Sequence, residues 1–173
     1  MLALSAPGVT IVALLALAGC GRGAPSSAAA ETHVADTDRA GTADPLSEQI
    51  VPDGSSPKQV LAIKAKKYAR GLLAEGAAII GELPQGGHSD HLTVLRGTFC
   101  YRILGVGGDG VEDLDLILYD PNGVQLQQDP AQDRFPVLGI GAEICPVMAG
   151  AYRIQVQMYK GAGAFAVGVY RTP

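Results

Sequence analysis

Asp113-Leu-Asp-Leu-Ile-Leu-Tyr-Asp120-Pro-Asn-Gly123 decides the fold. Leu114, Leu116 and Leu118 alternate with Asp113, Asp115 and Ile117. A period of two predicts a strand with one buried face and one wet face. Asp120-Pro121-Asn122-Gly123 then fits a type I turn, because Pro sets φ at the second position and Gly closes the fourth.

The same rule holds further along. Tyr152, Ile154, Val156 and Met158 alternate with Arg153, Gln155 and Gln157, and Phe165, Val167 and Val169 follow suit. Lys160-Gly161-Ala162-Gly163 reads as a hairpin loop between these two runs. Seven or eight short strands punctuated by Gly and Pro predict a mainly β chain, an antiparallel β-sandwich. One helix precedes them. Pro57 suits a first helical position, Ser56 an N-cap, and Gly76 an end, so a helix is expected from Lys58 to about Glu75. Leu61, Ala65, Tyr68 and Leu72 fall at helical spacing and face the core in this reading. Lys58, Lys64, Lys66, Lys67 and Arg70 take the other sides, where they form either a solvated face or a contact with anionic head groups.

Toward the N-terminus the pattern changes. Val9–Leu17 is an apolar run of signal-peptide length, too short to span a bilayer. Leu17-Ala18-Gly19-Cys20 follows it and resembles the lipobox of bacterial lipoproteins. The resemblance implies a signal peptide over 1–19 and a diacylglyceryl group on the sulfur of Cys20. It departs from the usual pattern in having no Lys or Arg ahead of the apolar run. Gly21 rather than Asp after the cysteine implies, by the same analogy, a lipid anchor in the outer membrane of a Gram-negative envelope. Residues 21–56 are rich in Ala, Ser, Thr, Gly, Pro and Asp and cannot bury enough surface to offset chain entropy. Residues 20–56 therefore read as a lipidated cysteine and flexible tether, with a reach of roughly 30–36 Å. The organisation expected is signal 1–19, tether 20–56, helix 57–76 and sandwich 77–173.

The net charge is −4, and the linker carries it; basic and acidic residues balance over 57–173. No broad basic face exists, Trp is absent and there are only three Phe, which excludes nucleic acid as a partner. With Cys20 assigned to lipid, Cys100 and Cys145 remain, each in an expected strand. An oxidising compartment and an even remainder predict a structural disulfide between them.

Asp113–Gly123, with Asp129, Gly150-Ala-Tyr-Arg-Ile-Gln-Val156 and Gly163-Ala-Phe-Ala-Val167, resembles the bacterial pre-peptidase C-terminal domain. That family is a small jelly-roll-like β-sandwich appended to secreted peptidases and other envelope proteins, and the match covers about residues 90–173. Two features depart from it: no peptidase is attached, and the helix is additional. The family's role as a passenger on an enzyme is therefore not carried over.

Three clusters carry candidate chemistry. Asp113 and Asp115 are expected on one exposed face, roughly 7 Å apart, with Asp120 nearby. With turn carbonyls they could hold Ca²⁺, which takes six to eight oxygens; the alternative is an acidic strand face that serves solubility. Gly105–Gly110 satisfies G-x-G-x-x-G, but the strand pattern after it lacks the helix a dinucleotide site needs, so a flexible hairpin is expected. His88-Ser89-Asp90-His91 holds the letters of a hydrolase triad side by side, whereas triads converge from separate elements. A polar turn is expected there. The favoured function is a non-enzymatic, lipid-anchored module that binds an envelope protein or polysaccharide and requires no cofactor. The alternatives are a calcium-dependent binding module and, more remotely, a small hydrolase.

Overall fold

The computed structural model describes residues 53–173. The expected signal segment, Cys20 and the linker up to residue 52 lie outside the described residues. The chain runs α1 (Pro57–Tyr68), β1 (Leu73–Ala74), β2 (Ile79–Leu83), β3 (His88–Leu95), β4 (Tyr101–Gly107) and β5 (Val111–Tyr119). It continues as β6 (Gln125–Gln128), β7 (Val137–Leu138), β8 (Gly150–Gly161) and β9 (Gly163–Arg171). One sheet has the order β1-β9-β4-β7, with β2 also pairing β9, and the other β3-β8-β5-β6. All pairings are antiparallel. The two sheets face one another, and every connection after β2 crosses between them except the β5–β6 hairpin, which makes a jelly-roll sandwich. Two very short strands, β1 and β7, take the number among the described residues to nine, above the seven or eight expected.

Burial follows from which faces are covered. Leu114, Leu116 and Leu118 of β5 and Tyr152, Ile154, Val156 and Met158 of β8 point between the sheets. They meet Ile103, Phe165, Val167 and Val169 of the opposite sheet. In β8 the alternation survives because its other face is open. The β9-β4 sheet is buried on both faces, since α1 lies across its outside: Val60 and Leu61, with Ala65 and Tyr68, pack on Leu104, Val106 and Ala166. This is why β4 and β9 are buried nearly end to end.

Ser56 caps α1 as expected. Its side chain accepts from the Gln59 amide, while Gln59 Oε1 accepts from the Ser56 amide at 2.9 Å, which completes a capping box. The helix ends at Tyr68, short of the expected Glu75. The Arg102 guanidinium of β4 donates to the Tyr68 carbonyl, and Gly71 turns the chain at φ 79°. Leu73 and Ala74 then pair with Arg171 and Tyr170, and the Glu75 amide donates to Val169 O at 2.8 Å. Unpaired backbone along β9 claims residues that local helical spacing assigned to α1. Asp53–Ser56, expected as tether, already belong to a turn and the helix cap.

The turn at Asp120–Gly123 joins β5 to β6 as expected, with the Gly123 amide donating to Asp120 O at 3.0 Å. Two other glycine segments are not hairpins. Gly108–Gly110 connects β4 to β5, Ala162 connects β8 to β9, and both segments cross from one sheet to the other. These corners touch: the Ala162 amide donates to Gly110 O at 3.0 Å. Gly161 has φ 84°, and a Cβ there would stand 2.1 Å from Gly110 O. Only glycine fits that crossing.

Cys100 and Cys145 form a disulfide across a sequence separation of 45. They lie beside strands and not within them, flanking the isolated bridge between Tyr101 and Ile144. In the chain-entropy model a closed loop of that size stabilises by about 4 kcal/mol.

Candidate functional site

The three aspartates grouped by the sequence do not stay together. Asp120 caps its own turn: Oδ1 accepts from the amides of Asn122 at 2.9 Å and Val124 at 2.8 Å. Those backbone donors, Val124 first, hold its carboxyl below the usual carboxylate range. It stands at the far end of β5 from Asp113, so it leaves the candidate cation set.

Asp113 and Asp115 gain different neighbours. After β6 the chain folds back along β5, where the Asp129 amide donates to Leu116 O at 3.0 Å and the Leu114 amide to Asp133 O at 2.9 Å. This segment continues β6 along the edge of β5, and Asp115, on the face that the alternation pattern assigned to solvent, is only 6% exposed. Gln128 donates to Asp115 Oδ2 at 3.1 Å. Burial pushes the Asp115 carboxyl above its ordinary range against that bond, and the charges of Asp113 and Asp129 push it further. Asp129, also 6% exposed, accepts from the amides of Val137 at 3.1 Å and Ala131 at 3.2 Å. Its carboxyl is still raised, by burial first and then by Asp133 and Asp113. Asp113 Oδ1 is buried with no hydrogen-bond donor. The cluster is thus Asp113, Asp115, Asp129 and Asp133, two on β5 and two on the returning loop. Asp129 and Asp133 stand downstream of Asp120 in the sequence, and only the fold-back shows that they reach β5.

The outer face of the β3-β8-β5-β6 sheet is the second feature. Arg153, Gln155, Gln157 and Tyr159 project from β8 on the side opposite the core. The register sets Gln155 between Asp90 of β3 and Ile117 of β5, and Gln157 between His88 and Asp115. Arg153 donates to Asp90 Oδ1 at 2.9 Å, and Gln155 Nε2 donates to the same oxygen at 3.0 Å. Burial alone would raise the Asp90 carboxyl, but these bonds hold it below the usual range. The Arg153 guanidinium lies 3.8 Å from the Tyr119 ring centroid, and Tyr119 Oη donates to Gln155 Oε1 at 3.5 Å. Four side chains from three strands therefore hold one another flat against the sheet. The amide of Gln157 beside them bonds to no described residue.

His88-Ser89-Asp90-His91 begins β3 and is not a turn. Strand alternation puts Ser89 and His91 on the core side, where Ser89 Oγ and His91 Nε2 are 3.0 Å apart and the His91 ring meets Phe165 edge-on. Asp90 is on the opposite face, bonded to Arg153. The three letters of a triad are present, but the carboxylate is directed away from the other two. Gly105 and Gly107 lie in β4, their amides donating to Pro136 O and Arg134 O at 2.8 and 2.7 Å. A cavity of about 330 Å³ lies beside the start of α1, lined by Asp53, Val60, Gly108, Asp109 and Arg134 among others. It mixes both charges and contains neither His nor Cys.

No family model matches the chain, and no curated protein matches it.

Proposed function

We propose that this chain is a lipid-anchored envelope protein whose sandwich is a non-enzymatic binding module for polysaccharide, taken on the outer face of the β3-β8-β5-β6 sheet. The supporting observation is the immobilised polar row Asp90, Gln155, Arg153 and Tyr119, continued by Gln157. Carbohydrate hydroxyls are donors and acceptors at once, and primary amides match them because each offers both functions. Side chains already held in one geometry lose little conformational freedom when a ligand arrives. Half-exposed Tyr159, on the same face, adds an aromatic surface with a polar tip. The resemblance of 90–173 to the pre-peptidase C-terminal sandwich, and of Leu17–Cys20 to a lipobox, supports an appended, exported module.

Calorimetric titration of the chain with soluble envelope polysaccharide fragments tests the site. Gln157→Ala, which removes no bond to a described residue, is expected to weaken binding about tenfold with an unchanged melting temperature. Equal affinity in the variant would remove this face from the reading. Incorporation of labelled palmitate into the wild type and not into Cys20→Ser tests the anchor.

A second reading is favoured by one observation. Asp113 Oδ1 is buried without a donor beside two carboxyls whose ionisation burial already opposes. A hard cation such as Ca²⁺ would neutralise that group, but the carboxylate oxygens of Asp113, Asp115 and Asp129 do not all lie within 4.8 Å of one another, so backbone carbonyls would have to supply part of its ligand set. A melt in CaCl₂ against EDTA decides it: a rise of several degrees indicates a native-state site, and coincident curves dismiss it.

A further inference from the structure

β3 is an edge strand. It pairs with β8 at every residue from His88 to Leu95 without a register shift, and no described strand pairs with its other side. An open edge presents a row of backbone N–H and C=O groups, and native proteins usually blunt it with Lys, Pro, a bulge or shortness. His88-Ser-Asp-His-Leu-Thr-Val-Leu95 has none of these. The remaining edges are shorter or irregular: β6 has four residues and a register shift against β5, β7 has two, and β2 has five. On its outer face β3 also exposes two large apolar side chains, Leu92 at 75% and Val94 at 59%.

We propose that β3 pairs antiparallel with β3 of a second copy of this chain, across a two-fold axis at Thr93. Residues opposite one another in a sheet share a face, so the register of a self-pairing strand is set by its centre. With the axis at Thr93, Leu92 of each copy faces Val94 of the other, and Asp90 faces Arg96. Four apolar side chains then meet at the centre, flanked at both ends by opposite charges. The neighbouring registers lack this match. An axis at Leu92 sets Asp90 against Val94, and one at His91 sets Asp90 against Leu92 and His88 against Val94. Cross-strand apolar and opposite-charge pairs are what stabilise a sheet, and an unmatched charge facing an apolar residue does not.

Arg96 is exposed just beyond the strand, and the Asp90 side chain is 43% exposed although Arg153 already reaches it. A carboxylate has about four acceptor positions, so a second guanidinium has room. Pairing joins the two outer faces into one sheet of eight strands and sets the two polar rows side by side. The dimer stands whether or not that face binds polysaccharide.

Sedimentation of the purified full chain at rising concentration tests the proposal by a charge exchange. The wild type is expected to dimerise. Asp90→Arg alone and Arg96→Asp alone each place like charges opposite one another twice per dimer, and each should weaken association about tenfold. An equimolar mixture of the two variants should dimerise again, because each introduced charge then faces its opposite. A wild type that stays monomeric at millimolar concentration overturns the proposal. A dimer indifferent to both substitutions also overturns it, since the contact then lies elsewhere, residues 1–52 included. If Asp90→Arg fails to fold through its lost bond to Arg153, Leu92→Lys asks the same question at an exposed side chain. It should give a monomer that melts like the wild type at dilutions where the wild type is monomeric too, and a dimer of wild-type strength would refute the edge.

Discussion

Gly161 and Gly123 share a backbone conformation, φ 84°, but not an environment, and this separates two costs that are usually confounded. Ala at either position must adopt a left-handed conformation, which costs about 1–2 kcal/mol. At Gly123 nothing lies within 4 Å of an added Cβ, so that cost is the whole effect. At Gly161 the Cβ would stand 2.1 Å from Gly110 O and 2.9 Å from the Glu112 amide nitrogen, both rigid backbone at the crossing of the two corners. One corner must move, and it carries the bond from Ala162 to Gly110 with it. Gly161→Ala is therefore expected to cost at least about 3 kcal/mol, in the range reserved for strain and broken networks. With about 4 °C per kcal/mol for a domain of this size, Gly123→Ala should lower the melting temperature by about 5 °C and Gly161→Ala by more than about 12 °C. Thermal melts of both variants with the disulfide intact measure this. Equal shifts would refute the claim that the two corners lock against each other.

Other outcomes follow from the same geometry. Replacing both Cys100 and Cys145 by Ser should lower unfolding free energy by about 4 kcal/mol in urea titration, with native spectra retained where the domain still folds. Ser56→Ala removes the α1 cap and should cost about 1 kcal/mol, read as faster amide exchange in the first turn of the helix. The carboxyls of Asp115 and Asp129 have folded pKa values above those of the unfolded chain, so the native state binds their protons more tightly. Their contribution to stability is fully present below the ordinary carboxylate range and is lost as pH rises through the raised values. Asp115→Asn should consequently raise the neutral-pH melting temperature and flatten the acid-side dependence, and a lower neutral melt would contradict the burial argument.

Period-two alternation found β5, β8 and β9, and the turn at Asp120 was readable because Asp, Pro and Gly each answer one backbone demand there. Which strands pair was not readable. β8 pairs with β3 and β5 and not with its neighbour β9, because pairing depends on sheet closure that no local window contains. The corner at Gly161–Gly163 passed for a hairpin for the same reason: positive φ is required in both settings. β4 carried no clean alternation because α1 covers its second face. At the site, the Asp113–Asp115 pairing on one strand was legible, but its burial and its approach to Asp129 and Asp133 were not, since those residues reach β5 only through the fold-back after β6. Asp120 was misgrouped because nearness in sequence along an extended strand is distance in space. The polar row on β8 was visible as Arg153, Gln155 and Gln157, but its partners Asp90 and Tyr119 come from strands on either side.

The order of the strands also sets a timetable. β8 and β9 are interior strands, one in each sheet, and they are the last two of the domain to leave the ribosome. Until Gly150 and the residues beyond it emerge, β3 has no partner and β4 lacks its principal one. Neither sheet can close early, so the nascent domain stays open until its final stretch is made.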